Sequence, residues 1–258
     1  MNHFDMTVKS CGNVSQKIAL TALTLFLAAG ARAELTNALS KAEVEGRELA
    51  RQLCAAQPAE NFTNSGVLKI RAAAGKREIP VKCTVTVSPT NWVSFYEIRN
   101  GFGTESLTVT RESSDNNCYY YHLDYGDQVK NSTLCGEGTI IPFANSDFWL
   151  CDLGLEFFHW PGQKVLKKEV KRSRGCTVLE STNPSPATNA YSRVVSWIDH
   201  ESGGIVQAEA YDFRNKLLKE FTPKSFKKVA GQWQLQEIEI RNVQTGSRTR
   251  IEFDLTGE

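Results

Sequence analysis

No stretch of the 258-residue sequence reaches the roughly 20 consecutive apolar residues that carry a helix across a bilayer. The apolar run at 18–29 is shorter, and nothing later approaches that length, so a membrane-spanning product is not expected. An excess of one charge is also lacking: 30 Lys and Arg stand against 29 Asp and Glu, mixed along the chain. A nucleic-acid partner needs a clustered basic footprint, and none is expected here. The patterns H-E-x-x-H, G-x-S-x-G and C-x-x-C are absent. Beyond residue 33 the histidines are His122, His159 and His200, in separate segments with no metal-ligand spacing. Asp199, His200 and Glu201 run into Ser202-Gly203-Gly204 and read as turn polarity rather than an acid–base pair. Glycines link strand to strand instead of strand to helix, which removes a phosphate loop. Together these absences predict no catalytic residue, no metal and no cofactor, and hence a protein that is not an enzyme.

What is present begins with an export signal. Lys9 and Lys17 precede the apolar run, and Ala31-Arg32-Ala33 supplies an A-x-A cleavage site. Residues 1–33 are therefore expected to be a signal peptide and 34–258 a single domain outside the cytoplasm. Losing Lys9, Lys17, Arg32 and Asp5 leaves 27 basic and 28 acidic residues, a net charge of −1. A lipid anchor would need cysteine at the cleavage point, where Glu34 stands. Six cysteines follow: Cys54, Cys83, Cys118, Cys135, Cys151 and Cys176. In an oxidising compartment all six are disulfide candidates, with buried free thiols the alternative, and spacing alone does not choose among about fifteen complete pairings.

Leu39, Ala42, Gly46, Leu49 and Leu53 recur at steps of three and four, predicting an amphipathic helix with a Ser40–Glu43 capping box and a stop at Pro58. Gly46 on its buried face would let it lie close to a sheet. From residue 66 the period becomes two, and the predicted strands are 66–73, 78–87, 92–99, 105–111, 118–123, 164–171, 176–181, 191–200, 205–213, 217–223, 232–242 and 249–255. Short turns between them require an antiparallel meander. Trp233 and Leu235 differ in parity from Ile238 and Ile240, so a bulge near 236–237 is expected to keep all four on the apolar face. The aromatic stretch 140–162 breaks the alternation. It predicts a short helix, capped by Ser146 and ending or kinking near Gly154, with Trp149, Leu153 and Phe157 on one face.

Two helices are few for about a dozen strands. Such a sheet closes as a filled barrel, encloses a ligand cavity, or leaves a patch for a partner. Trp92, Phe95, Trp149, Leu153, Phe157, Trp160, Trp197 and Trp233 are candidate cavity residues by apolar pattern, with ordinary core packing the alternative.

NSDFWLCDLGLEFFHWPGQ from Asn145, CTVLEST from Cys176, YSRVVSWIDHESGGIVQAEAYD from Tyr191, LLKEF from Leu217 and WQLQEIEIRNVQTGSRTRIEFDL from Trp233 resemble the outer-membrane lipoprotein-sorting, LolA-like family of periplasmic proteins. The resemblance implies a mainly β fold: one strongly curved antiparallel sheet forming an unclosed barrel, its concave face covered by short helices. It further implies a periplasmic carrier, in a Gram-negative-type bacterium, of acyl chains on lipoproteins or lipids. Its partners would be an inner-membrane transporter and an outer-membrane acceptor. A non-enzymatic scaffold or sensor that binds a protein on the same fold is the alternative.

Overall fold

The computed structural model describes residues 39–101, 103–112, 116–229 and 231–255; the expected signal peptide lies outside them. Helix α1 (Lys41–Ala55) opens on the expected capping box, with Ser40 and Glu43 bonding reciprocally. Thirteen strands follow: β1 (Phe62–Ala72), β2 (Gly75–Val87), β3 (Asn91–Asn100), β4 (Gly103–Glu112), β5 (Cys118–Tyr125), β6 (Gln128–Leu134), β7 (Gly162–Lys171), β8 (Arg174–Thr182), β9 (Arg193–Asp199), β10 (Ile205–Tyr211), β11 (Leu217–Val229), β12 (Gln232–Asn242) and β13 (Arg248–Phe253). All pairings are antiparallel, as the short turns require. The order is β6-β5-β4-β3-β2-β1-β13-β12-β11-β10-β9-β8-β7, so two meanders join where β1 pairs with β13. The sheet is not closed, since β6 and β7 end the order at opposite edges.

Period-two burial defines an inner face. In β2, Ile79, Val81, Cys83 and Val85 are buried between exposed or half-buried neighbours, and Leu68 and Ile70 of β1 continue the row to Ile251 and Phe253 of β13. The chain from Cys135 to Pro161 leaves one sheet edge at β6 and reaches the other at β7, covering this face with α1. Within it lie 3₁₀ turns at Gly136–Thr139, Phe143–Asn145 and Glu156–His159, and the one-turn helix α2 (Leu150–Gly154). A Cβ on Gly46 would stand 2.5 Å from the Lys164 backbone nitrogen of β7, which is why glycine holds this helix position.

Several expectations change. Strand β6 was not predicted because its sequence, QVKNSTL, is polar and mostly exposed, as an edge strand with one partner can be. Strand β11 continues past Pro223; the register shifts beside that proline, and bulges are where strands accept it. The expected slip near 236 occurs, with Ser225 opposite Glu237 and Phe226 opposite Leu235. It does not bury all four apolar residues, since Leu235 is half-buried and Trp233 is 71% exposed on the hairpin tip. The aromatic stretch forms one turn of α-helix between 3₁₀ turns rather than one longer helix, and Trp149, not Ser146, is the N-cap, with Asp152 accepting from the Trp149 amide. That helix ends at Gly154, where a Cβ would lie 1.9 Å from the Tyr119 hydroxyl. Asp199 is buried under its turn, accepting from Ser202 and Arg174, and is not solvated polarity.

Candidate functional site

The inner face and the 135–161 crossover form the candidate site. Phe143, Leu150 and Phe157 are almost wholly buried against the sheet, and Phe158 and Leu153 nearly so. Phe157 meets Phe158, Trp160 and Phe221 of β11 edge-on or tilted, while Trp149 stacks on Tyr191 with ring centroids 4.6 Å apart. The aromatic cover therefore packs directly onto the inner face of the sheet.

Crossover backbone that bends this often leaves amides and carbonyls without regular partners, and buried side chains of the sheet satisfy them. Glu105 of β4 accepts from the Ala144 amide at 2.9 Å and from Tyr121. Arg111 of β4 donates to Leu153 O at 2.6 Å and to Ser94, and stacks on Trp92. Asn117 donates to Gly154 O and Glu156, and Tyr119 also donates to Glu156. Gln163 of β7 donates to the carbonyls of Phe157, Phe158 and Trp160 while accepting from Ser181. Thr249 of β13 donates to Asp147 and accepts from the Asp147 amide. These latches come from both meanders.

Lys219 of β11 is the most enclosed charge. Its ammonium donates to Asp147 O at 2.7 Å and to Asp152 Oδ2 at 3.3 Å, and lies 3.4 Å from the Trp149 ring centroid. Tyr191 donates to the same Asp152 carboxylate at 2.9 Å. Burial lowers the Lys219 pKa and raises that of Asp152, each opposed by the other's charge. Burial likewise raises Glu105 and Glu156 against the pull of their hydrogen-bond donors, and lowers His159. These arrangements hold the cover in place. Among the described residues no group of three or more His, Cys, Asp or Glu is placed to hold a metal ion.

Two clefts flank the cover. One of about 290 Å³ lies between α1 and residues 158–163, lined by Ala50, Cys54, Phe158, His159 and Trp160. The other, about 390 Å³, opens beside Pro142, Trp149, Lys219 and Ser247. Of the residues expected to line a cavity, Trp92, Trp149, Leu153, Phe157 and Trp160 gather at this interior. Three do not. Phe95 has the opposite parity to Ser94 and Tyr96 and so takes the other face of β3, and Trp233 stands exposed. Trp197 joins Cys176, Val178 and Val195 in a small outer-face cluster, under Lys171 and bonded to Glu169. Strand β9 is buried on both faces, so its apolar residues give no parity signal in sequence. The buried polar latches were missed because each looks like ordinary strand polarity until the crossover is laid over it. Among the described residues none of the six expected cysteines is joined in a disulfide; Cys83, Cys151 and Cys176 are buried and Cys118 and Cys135 exposed. Burial pushes Cys54 and Cys83 each up to about 11.

A search of curated proteins finds no match for the chain. Among solved structures it is similar to a DUF1329 family protein from Desulfovibrio piger, at 18% identity and a TM-score of 0.68, covering 83% of this chain and 92% of that one. A domain from Vibrio parahaemolyticus assigned to outer-membrane lipoprotein sorting gives a TM-score of 0.67 with the same identity and coverage. A LolA superfamily protein from Nitrosomonas europaea gives 0.57 at 14% identity, covering 84% and 93%. At these identities the likeness is one of fold, and the unclosed sheet under a short-helix cover is the LolA fold. No helix among the described residues is long and apolar enough to cross a membrane. Residues 90–256 match the model of a protein family described as "Uncharacterized protein", and the chain belongs to that family.

Proposed function

We propose that this protein is a periplasmic carrier that takes acyl chains of lipoproteins or lipids onto the inner face of its sheet, in transport to the outer membrane, by exchanging them for the 135–161 cover. The observation that carries the reading is the make-up of that cover. It presents aromatics to an apolar sheet, yet it is built from isolated turns and held by side-chain latches. Ala144, Asn145 and Leu155 sit in the left-handed region, at φ of 57°, 50° and 53°. For Ala144 and Leu155 that conformation costs about 1–2 kcal/mol each, which lifting the cover would return, whereas asparagine adopts it readily. Each latch is worth about 1 kcal/mol net. An acyl chain of about fifteen methylenes gains on the order of 12 kcal/mol on leaving water, the same order as the cover's own gain of about 1.5–3 kcal/mol from each of Phe143, Leu150, Leu153, Phe157 and Phe158, so the two compete for the face. A membrane transporter would load the chain and an outer-membrane acceptor would remove it. No residue has a catalytic role in this reading.

The second reading is a non-enzymatic scaffold or sensor whose outer surface binds another envelope protein. The close packing of Phe143, Leu150 and Phe157 onto the inner face favours it. Native mass spectrometry of protein exported to the periplasm and purified without detergent separates the two. The carrier reading expects bound lipid, or binding of an added diacylated lipopeptide with a change in the fluorescence of Trp92, Trp149 or Trp160 beside the cover. Absence of both, with one stoichiometric protein partner recovered from delipidated material, would move the assignment to the scaffold.

A further inference from the structure

Strands β5 and β6 pair in a register that runs from Tyr125 opposite Gln128 to Tyr119 opposite Leu134. One further step places Cys118 opposite Cys135. Cys118 is still in β5, paired on its other side with Thr110, and Cys135 keeps extended backbone at φ −148° and ψ 160°. Tyr119 and Leu134 point to the core, so this next pair points outward, and both thiols are exposed. Directly opposed residues of antiparallel strands stand about 4.5–5.5 Å apart between Cα atoms, inside the roughly 4.4–6.8 Å that a disulfide spans. The other cysteines among the described residues are buried or half-buried on other elements.

We propose that Cys118 and Cys135 form a cross-strand disulfide that pins edge strand β6, and with it the root of the cover, to β5. Among the described residues strand β6 has no partner on its other side, and Gly136, in the left-handed conformation at φ 50°, begins the crossover immediately after Cys135. Oxidation fixes the point from which the cover departs, so that the cover moves beyond residue 136 while the edge stays in register. The oxidant is a disulfide. One thiolate of the pair attacks it and releases one donor thiol. The second thiolate then attacks the mixed disulfide, closing the Cys118–Cys135 bond and releasing the other donor thiol. Two electrons and two protons pass to the donor. Meeting such an oxidant in the cell rests on the export reading, whereas the pairing itself does not.

The test uses the full chain in two arms. Protein recovered from the periplasm is alkylated under non-reducing conditions and peptide-mapped, and reduced purified protein is separately re-oxidised with glutathione disulfide. Both arms are expected to give one intramolecular Cys118–Cys135 peptide. Reduction, or Cys118→Ser with Cys135→Ser, should speed amide exchange in β6 on the order of a hundredfold. Cross-linking only in the glutathione arm keeps the pairing and fails the export reading. Free alkylation of both thiols in the re-oxidised protein, bonding of either to a different cysteine, or bonding between chains would overturn the pairing. These measurements on the wild-type chain decide the matter even if the serine variant folds poorly.

Discussion

Lys219 on the inner face and Arg250 on the outer face each meet carboxylates, but in different surroundings. The Lys219 side chain is 1% exposed, and its ammonium is surrounded by Asp147 O, Asp152 and the Trp149 ring. Arg250 is 36% exposed and holds Glu237 and Glu239 at 2.8 Å across the open strands β12 and β13. Inside, every charge needs its partner, because water is not there to replace it. Outside, Arg250 is open to water, which stands in for much of what a removed partner supplied even though Glu239 is largely covered, and the pairs mainly fix register. The inner face is thus specified by polar groups reaching the crossover, and the outer face, apart from the small cluster around Trp197, by alternation.

The largest effect is expected at Lys219. Lys219→Met strips the Asp152 carboxylate of its cation and the Asp147 carbonyl of a donor, and should cost about 3–5 kcal/mol in urea denaturation. Adding Asp152→Asn to that variant should recover part of the loss, since the carboxylate that Lys219 contacted then carries no unpaired charge. A loss below about 1 kcal/mol for the single variant would erase the contrast between the faces.

Gly46→Ala tests how tightly the cover lies. Alanine gains about 1 kcal/mol of helix propensity over glycine. Its Cβ meets the Lys164 backbone at 2.5 Å, however, and backbone does not step aside as a side-chain end would. Overpacking of this kind costs about 1–3 kcal/mol, so net destabilisation is expected, with faster exchange of α1 amides. Net stabilisation would mean that α1 rides loosely on β7.

Most of the sheet was legible in the sequence because one face is wet: Thr249, Ile251 and Phe253 are buried while Arg248 is exposed and Arg250 and Glu252 are half-buried. The cap of α1 was legible for a local reason too, since Ser40 and Glu43 act on each other. The cover was not. Its shape depends on Glu105 reaching Ala144 and on Asn117 reaching Gly154, contacts 39 and 37 residues apart that leave no period behind. Trp197 misled for a related reason, because a strand buried on both sides carries aromatics on both parities. Trp233 misled because parity assigns a face but does not reveal that the β11–β12 hairpin runs beyond its flanking strands, whose pairing reaches only Phe221 and Glu237.

Stability should depend on pH with opposite sign on the two faces. Glu156 and Glu105 have folded pKa values raised above the ordinary 4.5 by burial. The unfolded chain ionises first as pH rises, so their contribution is present below about 4.5 and lost as pH climbs to the raised values. On the outer face, burial acts to raise Glu239, but Arg250 and Lys224 outweigh it and lower the value. Its contribution is therefore present above 4.5 and lost as pH falls. Glu156→Gln keeps acceptors for Tyr119 and Asn117 while removing the ionisation. Denaturation curves from pH 4.5 to neutrality should show a smaller decline in this variant than in wild type. An unchanged decline would place the titrating group elsewhere.

The smallest effect is expected at Arg250. Arg250→Met removes both outer bonds, yet Glu239 keeps Lys224 at 2.9 Å and Glu237 turns to water. Exposed pairs measure about 0.2–1 kcal/mol, and the methionine retains much of the stem that packs along the strand, so a loss below about 1 kcal/mol is expected at low salt and less at high salt. The salt series carries the comparison. Lys219 is shielded from ions, and the penalty of Lys219→Met should be nearly the same at both ionic strengths. If instead the Arg250 penalty is large and indifferent to salt, the outer network is dry enough to count as core, and the sheet has two specified faces rather than one.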